Sequence, residues 1–561
     1  MEDTVFNGGF FTKALWIALG VCCLGLLWRL VSWLVIKIGP DAKEVSFFQR
    51  LGAAIIGGIK AIFSKRLPGI IGGFVLDSLL QRRLFKVSKK RWLGHMLLFY
   101  GCLVLIVMHA LHVLLADKLF SDYQATLNPF LLLRNVFGVA TLVGVVLMTS
   151  GRKKDWGKVR PARLPIDALF GILVVVIVVT GFLLEAQKMS SPKAFNRMAE
   201  EYGIDEDEIK GLRWVWKLDY GVAFPDLKGE PDPDLFEEGR GYNEDYCVGC
   251  HSKPQHAFVS YPVAKAAGLM ATSTDAANVD KGLLYIHIFA CFFAIALLPF
   301  TRVFHVVADP ISLVVRGAAS SAPLSKAGRV NRRALAMDAC IRCGLCDFDC
   351  SVGPIAKWVN NQELLPSRKV QATRLVASKS EIKAGQAERL AVGAHLCTDC
   401  GRCTDRCPVG LDLADLWDAG RGDLSSKGFP APAVWVKEEP AIAWAEALGA
   451  ELGRVPPAGP LTADRNQFSA CVQCQTCTNV CPVVANSGED RVDLAPQQVM
   501  NLLRLGMNDL ALGSKMVWDC ATCYQCQENC PEGIRVTDIM LELRGAAWRQ
   551  LGPVRDRRRS I

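Results

Sequence analysis

The sequence predicts a mainly α-helical chain in which five membrane-spanning helices and a long outer loop precede two soluble helical domains. Long apolar runs fill the first 190 residues and the stretch from 282 to 305, whereas the last part of the 561-residue chain has a soluble composition. Sixteen of the 22 cysteines form four compact groups in that last part, separated by helical patterns. A membrane part followed by a cysteine-rich soluble part is therefore expected.

Five apolar runs are long enough to cross a bilayer. They cover residues 14–37, 92–115, 129–149, 165–185 and 282–305. The first run is too long for a cleavable signal peptide and is expected to stay as an anchor. Residues 51–64 and 69–84 are also apolar but short and rich in glycine, which predicts interfacial or re-entrant helices.

Basic residues flank the apolar runs and predict the orientation of the chain. The connection between the first two runs contains Lys65-Arg66 and Arg82-Arg83, and the third and fourth runs are separated by Arg152-Lys153-Lys154. By the positive-inside rule both connections face the cytoplasm, so the N-terminus lies outside and everything after His305 lies inside. The net charge of +9 is explained by this flanking, and no nucleic-acid partner is expected. The chain is thus predicted to be a multi-pass protein of the cytoplasmic (inner) membrane.

The outer connection, residues 186–281, is acidic, with 11 Lys/Arg against 17 Asp/Glu. It contains Cys247-Val-Gly-Cys250-His251, which matches the attachment motif of a c-type haem with His251 as proximal ligand. A disulfide or a zinc site is the alternative. His256 is the nearest candidate for the sixth ligand, and the sequence leaves Met270, Met189 and Met198 open as well.

Histidines in the apolar runs indicate two haems b, because ionisable residues in hydrocarbon are costly and functional by default. Four of the eight histidines, His95, His109, His112 and His287, lie inside predicted membrane helices, and His305 ends the last one. His95 is predicted to pair with His305, and His287 with His109 or His112. The helix face shared with His95 favours His109, whereas the depth in the membrane favours His112. Eighteen residues are five helical turns, so His287 and His305 are predicted on one face about 27 Å apart. A hydrogen-bonded structural histidine is the alternative for any one of them.

Each cysteine group has the spacing C-x2-C-x2-C-x3-C, and three groups end in Cys-Pro. Three thiolates separated by two residues can hold one [4Fe–4S] cluster, and the fourth is placed to reach the neighbouring cluster. The predicted ligands form set A (Cys340, Cys343, Cys346, Cys407), set B (Cys397, Cys400, Cys403, Cys350), set C (Cys471, Cys474, Cys477, Cys530) and set D (Cys520, Cys523, Cys526, Cys481). Zinc is the competing metal, and disulfides are disfavoured in a reducing cytosol. Four clusters are predicted.

The two pairs of groups form an internal repeat with long helical spacing. Leu364-Leu-Pro-Ser-Arg-Lys-Val370 follows the first group as Leu494-Ala-Pro-Gln-Gln-Val499 follows the third. This spacing resembles the helical ferredoxin of the C-type iron-sulfur subunit of heterodisulfide reductase, most densely from Leu494 to Arg544 with Val517-Trp-Asp-Cys-Ala-Thr-Cys-Tyr-Gln-Cys-Gln-Glu-Asn-Cys-Pro531. Ser351 departs from it, because proline usually follows the fourth cysteine.

Five helices, with histidines on the second and on the fifth, resemble the haem b gamma subunit of respiratory nitrate reductase and its relatives in heterodisulfide-reductase-like complexes. One subunit of the quinone-interacting membrane-bound oxidoreductase has similar modules in reverse order. These resemblances imply a five-helix haem b bundle, an inserted haem c loop and two cytoplasmic helical ferredoxin domains. The Cys-Cys-Gly motif of the disulfide-reducing subunit is missing, and no glycine-rich nucleotide motif is found, so a flavin would belong to another polypeptide.

The predicted domains are helices one to four (1–185), the haem c insertion (186–281), helix five (282–305), a linker (306–335), the first ferredoxin domain (336–427), a linker (428–460) and the second ferredoxin domain with its basic tail (461–561). The chain is interpreted as an electron-transfer subunit linking periplasmic cytochrome c or the quinone pool, with a bound quinone, to a cytoplasmic oxidoreductase such as a flavoprotein. A self-contained quinol-dependent disulfide reductase and a redox-sensing or assembly scaffold are the alternatives. Whether the chain alone is an enzyme is left open.

Overall fold

The computed structural model describes residues 9–109, 130–155, 165–249, 251–321, 323–356, 361–378, 382, 384–431, 435–452, 454–464, 466–486 and 492–559. The described residues are mainly helical, at 76%, and contain no strands. The prediction of a mainly α-helical chain is confirmed. Two compact units divide the chain: Met1–Leu27 with Leu84–Val303, and Trp28–Arg83 with Phe304–Ile561.

Six helices of the described residues are long and apolar enough to cross a membrane, one more than expected. Their bounds are Phe10–Val35, Lys89–His109, Phe130–Asp155, Pro165–Ser190, Val279–Leu297 and His305–Ser321. A shorter apolar pair, Phe47–Ile62 and Leu67–Leu79, is bent by 104°, as a broken span or a re-entrant loop would be. These features are compatible with a membrane protein.

The segment from 282 to 305 is not the single straight helix that its apolar run predicted. The helix Val279–Leu297 gives way to short 3-10 turns at Leu298–Phe300 and Arg302–Phe304, and His305 begins the next helix. Pro299 cannot continue the helical hydrogen bonds, and Thr301 is extended, with φ −110° and ψ 175°. His287 and His305 therefore belong to different helices, and the expectation that both lie on one continuous helix is wrong.

The insertion between the fourth and fifth apolar helices folds into five short helices, the first three of which surround a small core. Their bounds are Pro192–Glu201, Glu206–Val215, Pro233–Tyr242, Ser260–Ala267 and Ala271–Ala276. Phe195, Leu212 and Trp216 fill the core, and two helices approach so closely that a Cβ on Gly239 would collide with the backbone of Gly211. This segment is packed structure rather than an open loop.

The cysteine-rich part is also built of helices. The longer ones are Lys326–Ala339, Pro366–Ser378, Ala384–His395, Leu413–Ser426, Ala441–Leu452, Pro496–Arg504 and Val536–Arg559. Both segments predicted as linkers contain ordered structure, and the division into domains stays a prediction. Residues 306–335 fall largely within two helices, and the stretch 428–460 contributes Trp444 and Leu448, both buried, to the core of the second cysteine-rich half.

Asp338 joins three parts of the second unit at one carboxylate. It is nearly inaccessible and accepts from Arg29 Nη1 at 2.9 Å, from Trp33 Nε1 at 2.7 Å and from the guanidinium of Arg374. Arg29 and Trp33 lie on the first apolar helix, and Asp338 stands two residues before Cys340. The C-terminal end of the first helix is thereby held at the entry to the first cysteine group.

Replacing Asp338 by Asn should destabilise the second unit, because Arg29 and Arg374 lose the carboxylate that balances them. Breaking such a buried pair costs about 3–5 kcal/mol. The matched control is Lys326→Ala, whose ion pair with Glu44 is exposed and contributes under about 1 kcal/mol. Thermal unfolding of the detergent-solubilised chain measures both variants, and equal shifts of the midpoint would contradict the assigned role of Asp338.

Candidate cofactor sites

The four cysteine groups share an uncommon backbone feature on both sides of their second cysteine. The residue before it and the residue after it have positive φ in every group. These residues are Arg342 (49°) and Gly344 (72°), Asp399 (52°) and Gly401 (73°), Gln473 (56°) and Gln475 (62°), and Thr522 (51°) and Tyr524 (64°). Six non-glycine side chains thus accept a conformation that ordinarily costs about 1–2 kcal/mol per residue.

The two positive-φ residues on either side of the second cysteine, here called the left-handed pair, give each group a compact shape. A regular helix would spread the three thiols of a C-x2-C-x2-C group over about 9 Å of its axis. Two left-handed residues around the middle cysteine turn the chain instead, and a short helix starts directly afterwards, as at Leu345–Phe348. Strain of this kind persists where the surrounding structure requires it, and it clusters at functional sites.

In the first half the electrostatic neighbours of Cys346 come from both cysteine groups. Burial raises the pKa of Cys346, and so do Asp347, Cys343, Cys340 and finally Cys407 of the second group. The pairing of Cys407 with the first group is the one that set A requires.

The other members of the first half follow the same exchange. Burial raises the pKa of Cys350, Lys369 opposes the shift, and Cys397 and Cys403 of the second group add to it. Burial also raises the pKa of Cys403, with Cys397 and Cys400 as further neighbours. Cys350 thus lies near the thiols of set B, as the spacing predicts.

The second half repeats this arrangement. Burial raises the pKa of Cys477 to about 11, with Cys471 and Cys530 among its neighbours, as in set C. Burial raises the pKa of Cys520, and Cys481 and Cys523 act in the same direction, as in set D. The assignment of these cysteines as cluster ligands stays a prediction.

Each predicted set offers four thiols, the donor type that a [4Fe–4S] cluster takes. Among the residues that the structure describes, no three His, Cys, Asp or Glu side chains form a group able to hold one metal ion. The four thiolates of a [4Fe–4S] cluster each bind a different iron and therefore stand farther apart than the ligands of one zinc ion. Buried thiols that raise one another's pKa need a cationic centre to become thiolates, which bound iron provides.

Among the predicted haem b ligands, His287 has a defined hydrogen bond. Its Nδ1 lies 3.0 Å from Thr180 Oγ1 on the Pro165–Ser190 helix. Because the Thr180 hydroxyl lies 2.7 Å from the Val176 carbonyl and can donate its proton there, we assign His287 the tautomer in which Nδ1–H donates to Thr180 Oγ1. The lone pair of His287 is then on Nε2, the tautomer that suits a haem ligand.

The other predicted haem b histidines are placed only in part. His95 lies in the Lys89–His109 helix, and His305 begins the His305–Ser321 helix. The side chain of His109 and the whole of His112 lie outside the described residues. The choice between these two and the pairing of all five histidines stay predictions.

The haem c motif sits beside the core of the insertion. Cys247 is buried in that core, and the His251 ring meets Trp216 edge-on with centroids 5.5 Å apart. Burial lowers the pKa of His251, which favours the neutral imidazole that binds iron. His256 Nδ1 is buried and has no hydrogen-bond partner among the described residues, whereas Met270 is 60% exposed. Cys250 lies outside the described residues.

A polar cluster that the sequence did not predict anchors the insertion to the apolar helices. Arg134 Nη2 pairs with Glu185 at 3.2 Å, and Asn135 Nδ2 donates to the same carboxylate at 2.7 Å. Asn135 Oδ1 accepts from the Val259 backbone at 3.0 Å, and Gln187 donates to Thr274 at 2.8 Å. Arg134 was visible as a charge in an apolar run, but its partner is 51 residues away and no local pattern identifies it.

The first unit contains an open apolar cavity of about 520 Å³. It is lined by three of the apolar helices, through Ala14, Ile17, Ala18, Val21, Leu173, Phe289, Ala290, Phe292, Phe293 and Ala296. A cavity of this size, with apolar walls, fits a hydrocarbon chain or an apolar cofactor.

Comparisons with known proteins concern the cysteine-rich part. The 4Fe-4S dicluster domain family matches residues 336–411 and 467–534. An iron-sulfur subunit of the CoB–CoM heterodisulfide reductase of Methanopyrus kandleri is 40% identical over 78 residues, which are 14% of this chain and 38% of that protein. A subunit of the ferredoxin/F420H2-dependent CoB-CoM heterodisulfide reductase of Methanosarcina acetivorans is 36% identical over 90 residues, 16% of this chain and 52% of that protein.

A larger relative belongs to the dihydromethanophenazine:CoB–CoM heterodisulfide reductase of Methanosarcina barkeri. This subunit is 30% identical over 104 residues, 17% of this chain and 25% of that protein. The chain spans about two fifths of the length of the first curated relatives that it matches. No solved structure matches. The C-terminal region resembles the iron-sulfur domains of heterodisulfide reductase subunits. The family match and the many cysteines support iron-sulfur clusters in this region.

The backbone strain at the left-handed residues can be tested by replacing glycine with alanine at two positions. Gly401 has φ +73° and Gly449 lies inside a helix, and a Cβ on either would meet nothing within 4 Å. Gly401→Ala should cost about 1–2 kcal/mol, because an L side chain disfavours that φ. Gly449→Ala should stabilise by about 0.5–1 kcal/mol, because alanine favours the helix. Thermal unfolding of iron-loaded protein gives both shifts, and two shifts of the same sign would refute the strain at Gly401.

Proposed function

We propose that the chain is a membrane electron-transfer subunit that connects a periplasmic cytochrome c or the quinone pool with a cytoplasmic oxidoreductase. The observation that carries this proposal is the recurrence of the left-handed pair in all four cysteine groups, inside the region that matches the dicluster family. Relay through bound cofactors needs fixed positions and tuned potentials rather than a substrate cleft, and backbone loops of one repeated, strained shape supply such positions.

Sets A to D would each hold one [4Fe–4S] cluster, and their chemistry is one-electron transfer. The chain's own residues set the surroundings of the thiolates. Ser351 donates its hydroxyl to Cys400 Sγ at 2.9 Å. Although burial raises the pKa of Cys400, this bond and nearby backbone donors bring it below its ordinary value. Hydrogen bonds to cluster sulfurs are among the factors that set reduction potentials.

The membrane part would hold two haems b through His95, His109 or His112, His287 and His305, and the outer insertion one haem c through Cys247, Cys250 and His251. Support comes from the His287 tautomer and from His256, whose buried Nδ1 has no partner in the described part of the chain and suits a sixth ligand. The apolar cavity of about 520 Å³ supports a quinone tail among these helices. Positive flanking charge supports a cytoplasmic location for the iron-sulfur part.

Purified protein should contain about sixteen cluster irons, two haems extractable with acid acetone and one covalent haem. Menaquinol should reduce the haems and, through them, the clusters, without any partner protein; iron and haem analysis and optical spectra measure this. Reduction of a disulfide by the chain alone would favour the self-contained enzyme instead. A redox-inert product with four zinc ions would overturn the proposal.

His287→Ala should remove one of the two extractable haems, because alanine offers no nitrogen to the iron. Thr180→Val is the matched variant: it keeps the ligand but removes the acceptor of Nδ1–H, so both haems stay and one reduction potential rises. Haem extraction and a potentiometric titration give the two results. Two extractable haems in His287→Ala would show that this histidine is structural.

A further inference from the structure

The two cysteine-rich halves touch through Ser351, the residue that stands where proline is usual after the fourth cysteine. Its carbonyl accepts from the hydroxyl of Tyr524 at 2.9 Å, and its own hydroxyl donates to Cys400 Sγ at 2.9 Å. Ser351 follows Cys350, and Tyr524 follows Cys523. Two hydrogen bonds thus link set B to the residue beside a thiol of set D.

A buried arginine lies at the same junction. Arg544 is 4% exposed and donates to the carbonyls of Val517 and Cys520, both at 2.8 Å, so these hydrogen bonds go to the backbone rather than to a carboxylate. Burial lowers the pKa of Arg544, whereas negative charge on Cys520 of set D, on Asp519 and on Cys397 of set B raises it. A buried cation needs nearby negative charge, and the Asp519 carboxylate supplies part of it beside the cysteines of the two sets.

The C-terminal helix that carries Arg544 also reaches the first half directly. One turn further along, Trp548 stacks on the His395 ring, with centroids 5.7 Å apart and planes 20° apart. His395 stands two residues before Cys397 and is held by a hydrogen bond of 2.9 Å to the Phe429 carbonyl. The helix Val536–Arg559 therefore fixes set B against set D.

Set C lies in a different environment. Cys474 is exposed, and next to it Val472 is 63% exposed, while Leu505 on the neighbouring turn is 65% exposed. At the other end, the carbonyls of Cys407 and Gly410, beside set A, accept from Arg83 at 3.1 Å and from Arg316 at 3.0 Å. Arg316 lies on the apolar helix His305–Ser321.

We propose that the relay runs A, B, D, C, so that electrons cross between the two halves at Ser351, Tyr524 and Arg544 and leave or enter at set C. This order rests on the proposed function and replaces the chain order A, B, C, D. In the crossing step the cluster at one set is oxidised by one electron while the cluster at the other set is reduced by one electron. No bond forms or breaks, and no proton moves.

Magnetic coupling between reduced clusters tests the order. In fully reduced protein, the electron paramagnetic resonance signal of set B should be broadened by its neighbour at set D. Cys523→Ala, which removes a ligand of set D, should sharpen the signal of set B. Cys474→Ala, which removes a ligand of set C, should leave it unchanged. Sharpening by Cys474→Ala alone would overturn the order and restore the order of the chain.

Reduction potentials give a second test that does not need the loss of a cluster. Arg544→Met should lower the potentials of two clusters, at sets B and D, because reduction then adds charge without a nearby cation; Arg544→Lys should restore them in part. Arg504→Met is the matched control, since Arg504 donates to the Cys471 carbonyl at 3.1 Å and should affect set C alone. If Arg544→Met shifted the reduction potential of only one cluster, Arg544 would not link sets B and D. Absence of clusters from the unaltered protein would refute the proposed function, whereas four clusters with unshifted potentials would refute only the order.

Discussion

The second unit depends on balancing charge where many acidic groups are buried together. Buried cysteine thiols such as Cys346 and Cys477 have their pKa raised by neighbouring thiols, so the fold must bring cations and donors to them. Lys369 acts on Cys350, Ser351 on Cys400 and Arg544 on Cys520, each from a different helix or loop. The same requirement explains how Arg544 can be buried with its hydrogen bonds directed to backbone carbonyls. Helix packing here serves the placement of charge as much as the burial of apolar surface.

The four cysteine groups show how a repeat persists in the backbone while its side chains diverge. All four keep two left-handed residues, but glycine occupies the second of these positions only in the first half, at Gly344 and Gly401. In the second half Gln475 and Tyr524 stand there in spite of the strain. Tyr524 offsets its cost with the hydrogen bond to Ser351, whereas the exposed Gln475 gains no comparable contact in the described part of the chain.

Local regularities could be predicted from the sequence, and long-range partners could not. Helix content, the apolar runs and the neighbours within each cysteine half follow from residue spacing over short distances. Proline and alanine in the segment 428–460 suggested open chain, whereas Trp444 and Leu448 of that segment carry enough apolar surface to join a core. The break after Leu297 was missed because hydropathy ignores the hydrogen bond that Pro299 cannot make. The bonds of Asp338 and Tyr524 span too many residues for any pattern to show them.

The carboxylate of Asp338 has a consequence for how the protein is made. Its bond to Arg29 joins residues 309 positions apart, and Arg374 completes the same cluster. During synthesis the N-terminal helix leaves the ribosome long before any of these partners exists, so its C-terminal end must wait with an unbalanced arginine. Contacts of such sequence separation form late in folding. Final seating of that helix end therefore has to wait until the segment that carries Asp338 and Arg374 has been synthesised.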